Sequence, residues 1–271
     1  MGRKSGRPAI SVMLTIMRVT RFLTALLVIG GTWLCAQDAV DSAKLRADID
    51  ASYYHPDALA GLDCDVAIDF SEAAKQIGQS LPDETKKALR GLTIRAHAIQ
   101  GEAPRIDFAW SSGSPATKEK LETSVRQALT GFYQMYWAIF GPQPMTRLNG
   151  ANLKIETFAE GGHMLRVNEQ SAVTTLEVDR DNVPSKISVD APAMKAAFEF
   201  HFEPSPSPIP GDLRRLVLLD ASQQIGTSNM NARVSMDYQT VERFQVPRHV
   251  SFGVGGAFFL RMEFLGCSVV K

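Results

Sequence analysis

The sequence predicts an α+β chain. One large curved antiparallel sheet, an open half-barrel of about ten or more strands, carries its helices on one side. Three observations predict it. Helical patterns are concentrated before residue 142. From Asn152 onward, short alternating segments follow one another, separated by turn residues. And one pattern occurs twice, as Val183-Pro184-Ser185-Lys186-Ile187-Ser188-Val189 and Val246-Pro247-Arg248-His249-Val250-Ser251-Phe252. Proline fixes φ and lacks an N–H, so within a sheet it belongs at a strand's first residue or at an edge. Two copies predict two hairpins of similar build.

The elements follow in order. Asp38 to Tyr54 spaces Val40, Leu45, Ile49 and Tyr53 among charges, stops before Pro56 and predicts a helix. Leu62, Cys64, Val66, Ile68 and Phe70 share one parity, with Asp63, Asp65 and Asp69 on the other, which is a strand with one wet face. Ser71 caps a further helix, and past Pro82 a short one runs from about Asp83 to Gly91. Strands at Leu92–Gln100 and Arg105–Ser111 come next, the second with Ile106, Phe108 and Trp110 on one face. The clearest helix begins at Ser114-Pro115 and ends at Gly141-Pro142, with Leu121, Val125, Leu129, Phe132, Met135, Tyr136 and Ile139 as its apolar stripe. The remaining strands are predicted at Leu153–Ala159, His163–Asn168, Ala172–Asp179, Ser185–Asp190, Met194–Phe202, Arg214–Leu219, Ala232–Val241, Arg248–Val254 and Phe258–Phe264, with Cys267–Lys271 as a tail. Pro204 to Pro210 reads as a stiff loop.

Residues 1–36 read as a secretory signal peptide, with cleavage expected after Ala36. Arg3, Lys4, Arg7, Arg18 and Arg21 precede the apolar run from Phe22, and no acid occurs before Asp38. The run to Ala36 is 15 residues, short of the ~20 a spanning helix needs. An uncleaved N-terminal anchor is the alternative, and Met13 and Met17 are alternative starts. Removing the leader leaves 24 basic and 29 acidic residues, a net charge of −5, on a single domain of residues 37–271. A mildly acidic chain without a basic block argues against nucleic-acid binding. The expected location is the periplasm or the extracellular space, with no transmembrane segment once the signal is removed. In that compartment Cys64 and Cys267 are a disulfide candidate joining the first strand to the last, with two separate buried thiols as the alternative.

Signal peptide, N-terminal helix, strand, a strand pair before a long helix, and a run of hairpins together resemble the LolA/LolB-like periplasmic lipoprotein-carrier superfamily. The turn-Val-Pro-strand units at Asp181-Asn182-Val183-Pro184 and Phe244-Gln245-Val246-Pro247 carry the likeness, with Leu176-Glu177-Val178-Asp179 and Arg105-Ile106-Asp107-Phe108-Ala109-Trp110 as further strands of that kind. Where that family has glycine before the proline, this chain has Val183 and Val246. The resemblance implies an unclosed β-barrel with a helical lid, binding an acyl chain or lipid in its apolar concavity.

The end of the long helix, Phe132-Tyr133-Gln134-Met135-Tyr136-Trp137-Ala138-Ile139-Phe140, is apolar nearly all round and must be covered on every side. It is either core alone or a lid lining a hydrophobic pocket. The candidate pocket residues are Phe108, Trp110, Leu129, Phe132, Tyr133, Tyr136, Trp137 and Phe140. The histidines His55, His97, His163, His201 and His249 have no zinc-ligand spacing. Asp63, Asp65 and Asp69 lack a calcium-loop geometry, and Gly253-Val254-Gly255-Gly256 lacks the helix and lysine of a phosphate loop. No Gly-x-Ser-x-Gly elbow occurs. No metal, cofactor or catalytic residue is therefore expected. The expectation is a non-enzymatic carrier of a hydrophobic small molecule or lipid. The alternatives are an envelope scaffold with a filled core and an envelope protein partner, or a secreted hydrolase.

Overall fold

A computed structural model of the chain describes residues 39–56, 59–71, 80–140, 153–169, 171–204, 213–254 and 257–270. The signal-peptide expectation, the helix after Ser71 and the Pro204–Pro210 loop beyond its first residue lie outside them. Three helices are described, α1 (Ala39–Asp50), α2 (Asp83–Arg90) and α3 (Pro115–Phe140). The strands are β1 (Gly61–Asp69), β2 (Leu92–Ile99), β3 (Arg105–Trp110), β4 (Leu153–Thr157), β5 (His163–Asn168) and β6 (Val173–Val178). They continue as β7 (Pro184–Ala191), β8 (Met194–Pro204), β9 (Arg214–Ile225), β10 (Ser228–Val241), β11 (Phe244–Val254) and β12 (Ala257–Val270).

All twelve strands form one antiparallel sheet, in the order β3-β2-β1-β12-β11-β10-β9-β8-β7-β6-β5-β4. The sheet is an open half-barrel whose edges, β3 and β4, do not pair with each other. From β4 to β12 the chain is a plain meander. The first strand and the last meet where β1 pairs with β12. One connection is long: it must carry the chain from edge β3 to edge β4. Twelve strands laid flat span roughly 50 Å, and the 26 residues of α3 reach about 39 Å as a helix. α3 therefore runs across one face of the sheet, and strand order makes it the cover of that face.

The inward parity of β1 holds as expected: Leu62, Cys64 and Val66 are buried, while Asp63 and Asp65 meet Arg95 on the outer face. Two apolar clusters share the inner face. The larger packs Val125, Leu129, Phe132 and Met135 of α3 on residues of β1, β2 and β8–β12. The smaller packs Leu45 and Ile49 of α1 on Leu165, Val167, Leu176 and Val178 of β5 and β6. Phe202 of β8 touches both. α3 starts where expected, with Ser114 Oγ accepting from the Thr117 N–H at 3.4 Å.

Cys64 and Cys267 form a disulfide across β1 and β12, with Cα atoms 4.2 Å apart and 203 positions of sequence between them. The register shifts between Asp63 and Asp65, so β12 sets two residues, Gly266 and Cys267, opposite Cys64, with Gly266 at φ 52°. This is a bulge with glycine in the left-handed region.

The two Val-Pro hairpins are alike where the prolines sit. Glu177 pairs Lys186 but Val178 pairs Pro184, which leaves Ser185 as the extra residue. Asp237 pairs His249 but Tyr238 pairs Pro247, which leaves Arg248 extra. Each proline thus occupies a β-bulge, where the missing N–H breaks no ladder bond. The expectation that both prolines open strands needs correction. Pro184 does, but β11 begins at Phe244 and Pro247 lies inside it. β9 and β10 also run on to a tight turn at Gly226-Thr227, and the predicted tail at Cys267 is the end of β12.

Candidate ligand-binding site under the long helix

The candidate residues divide along α3. Phe108 and Trp110 of β3 meet its first half. The Trp110 indole N–H donates to Glu122 Oε1 at 2.7 Å, and Lys118 Nζ stands 5.9 Å over the Trp110 ring. The Arg126 guanidinium lies 5.0 Å over Phe108, and its Nη1 donates to the Ile106 carbonyl at 3.1 Å. Arg126 thereby occupies a carbonyl of an edge strand, a site that is otherwise open to pairing. These contacts fix the first half of α3 to β3 by directional bonds and cation–π contact.

The second half makes a different surface. Leu129, Phe132 and Met135 have 0 % of their surface exposed, and Tyr133 and Tyr136 have 1 %. Phe132 lies 5.2 Å from the Phe264 ring and meets Phe252 edge-on at 6.3 Å. Tyr133 meets Phe264 edge-on at 6.1 Å, and Tyr136 meets Trp137 at 5.0 Å. Trp137 is half-buried. The side chain of Phe140 lies outside the described residues. The fold therefore brings Leu129, Phe132, Tyr133, Tyr136 and Trp137 together over β11 and β12. Phe108 sits at the border of this group. Trp110 is apart from it, because Glu122 and Trp137 are separated by about 22 Å along a helix.

Two residues absent from the expected set matter here. Tyr54, just past α1, accepts the Gln245 backbone N–H on its hydroxyl at 2.8 Å. Tyr238 of β10 donates its hydroxyl to the Leu216 carbonyl. The inward parity of Tyr238, Phe252 and Phe264 was readable from their strands. Tyr54, in an irregular segment, carries no such signal. Burial raises the phenol pKa values of Tyr54, Tyr133, Tyr136 and Tyr238, and on Tyr136 the neighbouring phenols of Tyr238, Tyr54 and Tyr133 add to it. All four are neutral hydroxyls at physiological pH.

The polar atoms of this region are satisfied unevenly. Tyr133 Oη, Gln134 Oε1 and Trp137 Nε1 are buried and have no hydrogen-bond partner among the described residues. Gln127 Oε1, in the first half of α3, is buried without a partner among the described residues as well, and since buried polar atoms are paired in the great majority of cases, α3 carries a local excess.

The outer face is a solvated charge ladder. Arg233 holds Asp220 at 2.6 Å, and His249 of β11 bridges Asp237 of β10 at 2.9 Å and Glu263 of β12 at 3.2 Å. Among the described residues, no group of three or more His, Cys, Asp or Glu side chains is arranged to hold a metal ion. No helix among them is long and apolar enough to cross a membrane.

No family model matches this chain, no curated protein matches its sequence, and no solved structure matches its fold.

Proposed function

We propose that this is an exported, non-enzymatic protein that binds an apolar ligand, a lipid or acyl chain, between the second half of α3 and the inner face of the half-barrel, with α3 as the lid. One observation carries the reading. The bonds from β3 engage Glu122 and Arg126 in the first half of α3, whereas the second half is held by apolar burial around unpartnered polar atoms. Apolar contact is non-directional, so the end of a helix held mainly by it lifts more readily than the end held by hydrogen bonds. The described form is then the closed one, with Phe132, Tyr133 and Tyr136 occupying the ligand's place. The leader expected over residues 1–36, the Cys64–Cys267 bond and the likeness to the lipoprotein-carrier superfamily in layout and hairpin motifs support the same reading.

A second reading is favoured by one fact. Leu129, Phe132 and Met135 have no exposed surface, so the described residues leave no open space against them. On that basis the protein is an envelope scaffold whose core binds nothing. The test is extraction of the purified protein for lipid mass spectrometry, followed by titration of the delipidated protein with a fluorescent fatty acid. Bound lipid or saturable uptake, with a change in Trp137 emission, supports the carrier. A lipid-free protein that takes up no probe supports the scaffold.

A further inference from the structure

We infer that the site under α3 takes an amphiphile with a neutral hydrogen-bond-accepting head, such as an ester carbonyl, to which Tyr133 and Trp137 donate. The inference rests on the ligand-binding reading above and adds the chemistry of the head. Tyr133 and Trp137 are i and i+4 on one helix, so their side chains lie over the same face. Tyr133 Oη and Trp137 Nε1 are both buried without a partner among the described residues, in a setting of Phe132, Tyr136 and Phe264 rings.

Their chemistry selects the complement. An indole N–H only donates, and a phenol kept protonated by burial keeps its donor. Two donors on one helix face call for a head that accepts hydrogen bonds. The charge of the head follows from what surrounds it. The influences that move the Tyr133 phenol are burial and the negative charge of Asp63, and on Tyr136 they are burial and three other phenols. A cation acts instead on Tyr238, where the Arg215 guanidinium lies 5.5 Å over the ring. Arg95 is engaged by Asp63 and Asp65 on the outer face. Among the described residues no cation acts on Tyr133, so a carboxylate head held there would be desolvated without a countercharge, which is strongly unfavourable. A carbonyl meets both donors with no charge to bury.

The experiment compares methyl laurate, laurate and dodecane, which share one chain length, by displacement of a fluorescent probe from the delipidated protein. The wild type is expected to bind methyl laurate more tightly than dodecane or laurate. Tyr133→Phe and Trp137→Phe each keep an aromatic ring and remove one donor. Each is expected to weaken methyl laurate about fivefold, the loss of one net hydrogen bond, and to leave dodecane within about twofold. Thermal unfolding of each variant, with and without ligand, separates lost binding from lost folding. Equal weakening of ester and hydrocarbon, no weakening of either, or tightest binding of laurate overturns the inference and leaves the ligand-binding reading standing. A wild type that binds none of the three overturns both.

Discussion

The same substitution at two buried tyrosines should change stability in opposite directions. Tyr54 Oη accepts the Gln245 backbone N–H at 2.8 Å, and both residues are buried. In Tyr54→Phe that N–H loses its partner where water does not reach it. The expected loss is about 1–3 kcal/mol, the desolvation penalty of an orphaned donor. Tyr133 Oη is buried with no partner among the described residues. In Tyr133→Phe the ring remains against Phe132 and Phe264, and only an uncompensated hydroxyl leaves. The folded state should gain about 1 kcal/mol, at the low end of what burying an unpaired hydroxyl costs. The two variants should therefore differ by about 2–4 kcal/mol, although each removes one oxygen atom from a buried phenol. Urea denaturation followed by circular dichroism measures both midpoints. Two destabilised variants with similar midpoints would show that Tyr133 Oη has a partner as good as that of Tyr54. A stabilised Tyr133→Phe that also binds esters poorly would mean the hydroxyl is kept for a ligand at the expense of stability.

Other predictions concern the frame of the sheet. Replacing Cys64 and Cys267 together by serine opens a loop of 203 positions and should lower stability by about 5 kcal/mol in the chain-entropy model. Equal denaturant midpoints with and without reductant would count against it. Asp237 first, then Glu263, raises the His249 pKa above its ordinary 6.5. The stability this provides is complete below 6.5 and lost as pH rises through the higher folded value. His249→Gln should therefore destabilise at pH 6 and be near neutral at pH 9, by a fraction of a kcal/mol because the pair is solvated. The reverse pH trend would exclude this role. The Arg233 hydrogen bond lowers the pKa of Asp220, so its contribution is present above 3.8 and lost as pH falls through the folded value. Asp220→Asn should accordingly matter at pH 7 and cease to matter in strong acid, read from acid-unfolding midpoints. Gly162 has φ +90°, and a Cβ there would stand 2.5 Å from the Val178 carbonyl oxygen. Gly162→Ala should cost about 1–3 kcal/mol, and an unchanged melting temperature would contradict that.

Much of the fold was legible because strands and helices announce themselves by period. The alternation of Leu62, Cys64 and Val66 against three aspartates named a strand and its wet face, and the structure has both. Ser114-Pro115 announced the start of α3 by capping chemistry alone. The misses have local causes. The β9–β10 turn at Gly226-Thr227 was hidden by the polar run Ser222-Gln223-Gln224, in which Gln223 is buried, so alternation by polarity fails there. Pattern alone places Pro247 at a strand start because a proline inside a strand is tolerated only at an edge or a bulge, and a bulge depends on the partner strand's register. In the candidate site, the aromatic end of α3 was legible as a helix needing cover on every side. Its separation from Trp110 was not, because apolar character alone says nothing of distance along the helix.

The sequence alone was enough to show which residues of β1 face inward, where α3 begins, and that two cysteines stood ready to pair. Backbone period, capping and composition are local properties, and local chemistry suffices for them. Only the tertiary structure decided that β1 lies beside β12, that the disulfide therefore joins neighbouring strands, and that the β3-to-β4 connection must cross the sheet. It also decided which buried hydroxyls are paired: Tyr54 and Tyr238 with backbone groups, Tyr133 with none among the described residues. Pairing across the sheet depends on all twelve strands at once, and a hydroxyl's partner depends on which remote carbonyl or N–H that register brings within reach.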